Sequence, residues 1–268
     1  MVKAIVAGAA GRMGTRIIHN IFQTEGIELA AAFEAPGNPA VGKDVGEVVG
    51  LPSTGVIVED SLEKVIERGD VIIDFTFHEA SLAHARINAK YGKAMVIGTT
   101  GFQKEELEEI HRLAREKFPL VQAYNMSLGI NLLYKLVEMA TRVLGTDFDI
   151  EIIEAHHRLK KDAPSGTAIA LGNVIARTLG WDDSAFRFCR EGLIGERPQK
   201  EIGIQTIRAG EIVGEHTVLF AGTGERLELT HRAASRDTFA RGAIKAALWV
   251  VGKPPGTYDM HDVLGLKD

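Results

Sequence analysis

The segment Glu154-Ala155-His156-His157-Arg158-Leu159-Lys160-Lys161-Asp162-Ala163-Pro164-Ser165-Gly166-Thr167 brings histidines, cations and hydroxyls together at one place in the chain. Two histidines and three cations fall within six residues, at the end of a stretch that reads as a strand. Ser165-Gly166-Thr167 then opens a helix, and the first amides of a helix lack intrahelical acceptors, so they form a seat for an anion. Lysine and arginine add charge suited to a carboxylate. A histidine beside such a seat can donate a proton near neutral pH. Metal binding is a weaker reading, because neighbouring histidines on a strand point to opposite faces and no further Cys/His cluster stands nearby. A solvated charge run would not require His-His next to a Ser-Gly-Thr helix start.

Two further motifs lie earlier in the chain. Gly8-Ala9-Ala10-Gly11-Arg12-Met13-Gly14 follows an apolar run and precedes a helical pattern. Glycines there allow a tight turn and close approach of the backbone to a diphosphate, which the helix start would hold. The spacing is G-x-x-G-x-x-G, not the commoner G-x-G-x-x-G. Glu34 falls 20 residues after Gly14, where an acid can accept hydrogen bonds from an adenosine ribose. A ligand-free strand–helix turn is the alternative. Asp74-Phe75-Thr76 and Gly98-Thr99-Thr100-Gly101 sit at two further strand ends, where open parallel sheets bind ligands. Their small and hydroxylic residues would admit a flat nicotinamide ring.

These residues need a scaffold, and the hydrophobic pattern supplies one. Strand-like runs at Lys3–Ala7, Glu28–Phe33, Val56–Val58, Val71–Phe75 and Met95–Ile97 alternate with helical patterns at Arg12–Thr24, Ser61–Arg68, Glu79–Lys90 and Lys104–Lys117. That alternation predicts an α/β, Rossmann-type parallel sheet. A helix is expected over Ile130–Leu144. Beyond Asp147 come a strand at Phe148–Ala155 and a helix at Thr167–Leu179. Strands at Glu201–Arg208, Ile212–Phe220 and Arg226–Arg232 follow, with hairpin-like turns at Gly210 and at Gly222 and Gly224. This second part reads as an α+β domain with a mostly antiparallel or mixed open sheet, before a last helix at Phe239–Val251.

Composition narrows the function classes. The 268 residues are 45% hydrophobic and 25% charged, with a net charge of −5, so a nucleic-acid partner is not expected. No apolar run approaches the roughly 20 residues that span a bilayer. The single cysteine, Cys189, cannot form an internal disulfide and is expected to be a small buried residue. The cytoplasm is the expected location. His19, His84 and His111 are expected at the surface, and Trp181 and Trp249 in packing roles.

Taken together, GAAGRMG, DFT, GTTGF, EAHHRLKKDAPSGTA, Ala209–His216 and Ser235-Arg236 make the sequence resemble the 4-hydroxy-tetrahydrodipicolinate reductase family, long called dihydrodipicolinate reductases. The resemblance covers essentially the whole chain. It implies a dinucleotide-binding domain of residues 1–126 with 239–268, and a domain of residues 127–238 that binds substrate and assembles a homotetramer through its sheet. It also implies a reaction. NADH or NADPH would reduce a small cyclic dicarboxylate at ring C4, with loss of water, on the diaminopimelate route to lysine. By resemblance His156 is the catalytic proton donor and Lys160 a second catalytic residue, while His157, Ser165, Gly166 and Thr167 bind substrate. Cofactor contacts map to Gly8, Ala9, Ala10, Gly11, Arg12, Met13, Glu34, Phe75, Gly98, Thr99, Thr100, Ala123, Tyr124, Asn125 and Met126. The chain departs from many relatives at two positions where arginine is common, here Ala35 and Phe77. Losing those cations implies that NADH is used at least as well as NADPH. An aldehyde dehydrogenase would want a nucleophilic cysteine, and a non-catalytic nucleotide sensor would not need His156, His157 and Lys160 together.

Overall fold

A computed structural model describes residues 1–267. The chain divides into two compact units, Met1–Leu128 joined by the residues from Arg236 onward, and Gly129–Ser235.

In the first unit the chain runs β1 (Val2–Ala7), α1 (Arg12–Ile21), β2 (Ile27–Phe33), α2 (Val45–Val49), β3 (Val58–Glu59), β4 (Val71–Asp74), α3 (His78–Asn88), β5 (Ala94–Ile97), α4 (Lys104–Lys117) and β6 (Pro119–Gln122). β4 and β5 are buried along their whole length, as unbroken apolar runs require when helices cover both faces of a parallel sheet. α1 turns Gly14, Ile17, Ile18 and Ile21 into the core. Ser61–Arg68, expected as a helix, forms only a 3₁₀ turn at Ile66–Arg68. Gly69 ends that turn in an extended conformation: a Cβ there would lie 2.5 Å from the Ile5 side chain, so the chain passes close to β1 beyond Arg68.

The second unit is built on α5 (Leu128–Leu144), β7 (Asp149–His156), α6 (Gly166–Leu179), β8 (Phe186–Phe188), β9 (Ile202–Arg208), β10 (Gly214–Ala221) and β11 (Arg226–Ala233). Its sheet has the order β11-β10-β7-β9-β8. β10 pairs antiparallel with β11 and β7, whereas β9 pairs parallel with β7 and β8, so the sheet is mixed. The turn at Gly222 and Gly224 closes a hairpin, but the one at Gly210 does not. β7 lies between β9 and β10, and residues 209–213 cross over its end. Ala209 N–H donates to the His156 carbonyl, and Arg158 N–H to that of Gly210. Two cross-strand rows of the inner face are apolar: Ile150, Ile202 and Phe220, then Ile152, Ile204 and Val218. They pack with Ile130, Leu133 and Val137 of α5 and Leu171 and Ile175 of α6. Cys189 is exposed, not buried, and takes a left-handed φ of 50° beyond β8.

The chain then returns to the first unit through α7 (Asp237–Val250), β12 (Gly256–Tyr258) and α8 (Met260–Leu264). The parallel sheet has the order β12-β6-β5-β4-β1-β2-β3. β1 therefore lies between β4 and β2, where the winding reverses, which is where such sheets bind ligands. No helix among the described residues is long and apolar enough to cross a membrane.

Candidate active site

The first unit holds a cleft of about 650 Å³ beyond the ends of β1, β2 and β4, lined by the glycine loop, Glu34-Ala35-Pro36, Asp60–Glu63, Phe75-Thr76-Phe77 and one side of α3. Gly8 has a φ of +67°, which glycine adopts without strain. A Cβ at Gly14 would lie 2.0 Å from the Gly8 carbonyl oxygen, so helix and loop touch backbone to backbone. α1 begins at Gly11 without a side-chain cap. Its first hydrogen bond runs from Thr15 N–H to the Gly11 carbonyl at 3.0 Å, leaving the amides of Arg12, Met13 and Gly14 without an intrahelical acceptor. This cradle fits a dinucleotide diphosphate. Glu34 reaches back to the loop, its Oε1 accepting from Ala10 N–H at 2.8 Å, while Ala9 is buried.

The strand-end motifs are organised differently from expectation. The Phe75 ring lies on Gly98, where a Cβ would come within 2.1 Å of it. Thr76 and Thr99 do not offer their hydroxyls to the cleft. Both turn onto Asp74 and Ser81, which are fully buried. Thr100 is exposed. His84, expected at the surface, instead places Nδ1 2.7 Å from Asp74 Oδ2. Burial alone would raise the Asp74 carboxyl, but the hydrogen bonds from His84 and Thr76 hold it below its ordinary range. Beyond β6, Ala123 is half-buried and Tyr124 exposed. The Asn125 side chain accepts from Ser127 N–H, and Met126 is buried in the core.

In the second unit the histidine segment follows directly from β7. The two apolar rows of the inner face give way to a polar row at the end of β7, with Thr206, Glu154, His216 and His231 side by side on four strands. His156 and Arg208 pair in the next row. Glu154 is fully buried and accepts five hydrogen bonds. Two come from Arg208 at 2.8 and 2.9 Å, and one each from His156 Nδ1 at 2.6 Å, Ser165 N–H at 2.9 Å and the Thr206 hydroxyl at 3.3 Å. Burial pushes its carboxyl upward, and these donors, Arg208 first, outweigh it and keep the group ionised.

A carboxylate on Nδ1 fixes the His156 proton there and leaves Nε2 as the working edge. A Cβ at Gly214 would lie 3.1 Å from that Nε2, so glycine keeps the edge open. Burial holds the imidazole below its ordinary pKa; Lys160 and Arg208 push the same way, and Glu154 opposes them. Lys160 pairs with Asp162 at 2.9 Å, and His157 is half-buried just beyond β7. Ser165 caps α6, its Oγ accepting from Ala168 N–H at 3.2 Å. Gly166 is exposed at the helix start. Tyr134 hydrogen-bonds to Thr167, and burial pushes its phenol up to about 12.

The sequence motifs thus collect into two clusters, one in each unit. The partners of His156 went unassigned in the sequence: Glu154, Arg208 and His216. Their signal was alternation, since Glu154 and His156, Thr206 and Arg208, and Gly214 and His216 are each two residues apart on one face of a strand. Asp74 with His84 left no such mark, because a strand end and a helix position have no common period. Among the described residues no group of three or more His, Cys, Asp or Glu is placed to hold a metal ion.

Comparison with known proteins places the chain. Residues 2–126 match the family model described as dihydrodipicolinate reductase, N-terminus, and residues 129–264 the one described as dihydrodipicolinate reductase, C-terminus. The 4-hydroxy-tetrahydrodipicolinate reductase of Desulfotalea psychrophila is 58% identical, with each chain covered in full. That of Syntrophobacter fumaroxidans is 57% identical, again over 100% of both. A solved structure, the dipicolinate-bound dihydrodipicolinate reductase of Paenisporosarcina sp. TG-14, superposes with a TM-score of 0.77 at 27% identity, covering 97% of each chain. The glycine cradle, the Glu154-held histidine and both halves of the sequence agree, and the chain belongs to the dihydrodipicolinate reductase family.

Proposed function

We propose that the protein reduces 4-hydroxy-tetrahydrodipicolinate to tetrahydrodipicolinate on the diaminopimelate route to lysine. His156 carries the assignment: its Nδ1 rests on a buried, ionised glutamate and its Nε2 edge is open, beside a helix start suited to a carboxylate. That geometry lets His156 hold a proton on Nε2 and release it to a carbon or nitrogen that has gained electron density. The amides at the start of α6, with Ser165, Gly166 and Thr167, hold one carboxylate of the substrate. Lys160 and His157 supply further donors, and Asp162 accepts a hydrogen bond from Lys160 Nζ. The loop Gly8–Met13 and Glu34 hold the dinucleotide, with Phe75, Gly98–Thr100 and Ala123–Met126 as its other contacts. When bound, the reduced nicotinamide supplies the hydride that ring C4 accepts as water is lost.

NADH serves at least as well as NADPH. The cleft is lined by Glu34, Asp60 and Glu63 against a single arginine, Arg12, and Ala35 and Phe77 stand where an added phosphate would want cations. Residues 1–126 with 239–268 bind the dinucleotide, and residues 127–238 bind substrate and assemble a cytoplasmic homotetramer. A coupled assay with enzymatically made 4-hydroxy-tetrahydrodipicolinate, run in parallel with NADH and NADPH, tests the reading. Substrate-dependent oxidation of either cofactor is expected, and none with both would overturn it.

A further inference from the structure

His216 has no role in the reaction described above, yet its ring meets that of His156 edge to face, with centroids 5.2 Å apart. It is 3% exposed, and its Nε2 lies 3.1 Å from Ser165 Oγ. That oxygen already accepts Ala168 N–H as the cap of α6. Nδ1 of His216 is buried and has no protein partner among the described residues. Burial keeps the ring neutral, its pKa pushed down to about 3. The neighbouring His156, His231 and Lys160 act in the same direction, and Glu154 opposes them.

A neutral imidazole and a hydroxyl carry one transferable proton each, and one hydrogen bond joins them. If Nε2 holds the ring proton, it donates to Ser165 and the serine O–H is left over. If Nδ1 holds it, Ser165 donates to Nε2 and Nδ1–H is left over. In both tautomers the pair keeps one buried donor that no protein group satisfies, a state that a ligand acceptor relieves. As the Ser165 hydroxyl, this donor stands at the N-cap of α6, where the helix itself favours an anion. A cation in its place would depress the His156 pKa further and empty the proton donor, whereas a neutral pair gives direction without that cost.

We propose that His216 and Ser165 act as one neutral donor pair that binds a carboxylate of the cyclic diacid, which makes His216 a substrate-binding residue. The proposal rests on the function proposed above. Calorimetric titration of the full-length protein with dipicolinate, alongside NADH titration and thermal melts, tests it. His216→Phe is expected to bind dipicolinate about tenfold to a hundredfold more weakly, with NADH affinity unchanged. His216→Gln still donates to Ser165 Oγ, frees the serine proton and recovers most of the affinity. Ser165→Gly keeps an acceptable helix cap and should show the same loss as His216→Phe, with the double variant no weaker than either single one.

Unchanged dipicolinate affinity in His216→Phe would overturn the proposal and leave the function standing, since the surplus proton would then belong to water. Additive losses in the double variant would also overturn it, as would NADH affinity falling together with dipicolinate affinity. Failure of the wild-type protein to bind dipicolinate would also overturn the proposal, while the function is decided separately by the coupled assay.

Discussion

Arg208→Met is the most exacting perturbation of the histidine cluster. Methionine keeps much of the stem and removes the guanidinium that gives Glu154 two parallel hydrogen bonds of 2.8 and 2.9 Å. Glu154 is fully buried, and stripping one partner from a buried ion pair costs about 3–5 kcal/mol. The cost depends on pH in a definite direction. In the native protein the Glu154 carboxyl titrates below its ordinary value of 4.5. It therefore contributes stability that is complete above the unfolded pKa and is lost as pH falls through the folded one. Without Arg208 the largest contribution that lowers the carboxyl is gone, so its pKa rises and the variant recovers stability as Glu154 takes up a proton. The penalty should be near its full size at pH 8 and clearly smaller at about pH 5. Arg208 also donates to the carbonyls of Asp162 and Ile207, which do not titrate, and it lowers the pKa of His156, whose upward shift in the variant adds to the same trend. Urea unfolding at both pH values, with hydrogen exchange of the β7 amides to follow this unit, measures the effect. A penalty under about 1 kcal/mol at pH 8, or one equal at both pH values, would refute the reasoning.

Further predictions concern activity and the nucleotide cleft. Because His156 titrates below 6.5, kcat/KM should decline with rising pH from a midpoint under that value. Glu154→Gln should move the midpoint lower still, since the lost carboxylate had been raising it; a pH–rate profile with an unmoved midpoint contradicts this. His156→Ala and Lys160→Ala should each lower kcat by about 10²–10⁴-fold while NADH affinity holds in equilibrium titrations, and near-normal turnover in both would take them out of the mechanism. Gly98→Ala drives a methyl into Phe75, where the gap is 2.1 Å. It should cost about 1–3 kcal/mol and weaken NADH binding, and Phe75→Leu in the same chain should restore both in melting and binding measurements. Ala35→Arg should raise the NADPH-to-NADH ratio of kcat/KM, whereas a wild-type ratio well above about tenfold would overturn the cofactor assignment.

Long periodic segments were legible before the structure, and short ones were not. Lys104–Lys117 shows its helical pattern in the sequence and forms a helix over those residues. β8 and β12 have three residues each, too few for alternation to register, while the strand expected at Val56–Val58 forms at Val58–Glu59. Ser61–Arg68 carries a helical pattern in Leu62, Val65 and Ile66, but the approach of Gly69 to Ile5 is a long-range fact that no local window contains. The Gly210 turn resembles a hairpin because local residues report that the chain reverses, not which strand lies beside it. At the candidate site, residue types and spacing pointed to the segment Glu154–Thr167 and the glycine loop, and the family resemblance singled out His156 and Lys160. Glu154 and Arg208 were hidden because their significance comes from pairing between strands that are 54 residues apart in the chain.

The row Thr206, Glu154, His216 and His231 also bears on how the sheet assembles. Slipping any one strand by a single residue would exchange its contribution for a side chain on the opposite face. A slip of β10 would put Glu215 or Thr217 where His216 belongs, and one of β7 would bury Ile153 or Ala155 beside the arginine. The apolar rows resist the same error, since a slip of β7 would put Glu151, and one of β9 Gly203 or Gln205, into the core. The groups gathered around His156 thus also act as a molecular vernier, penalising misaligned sheets before any ligand arrives.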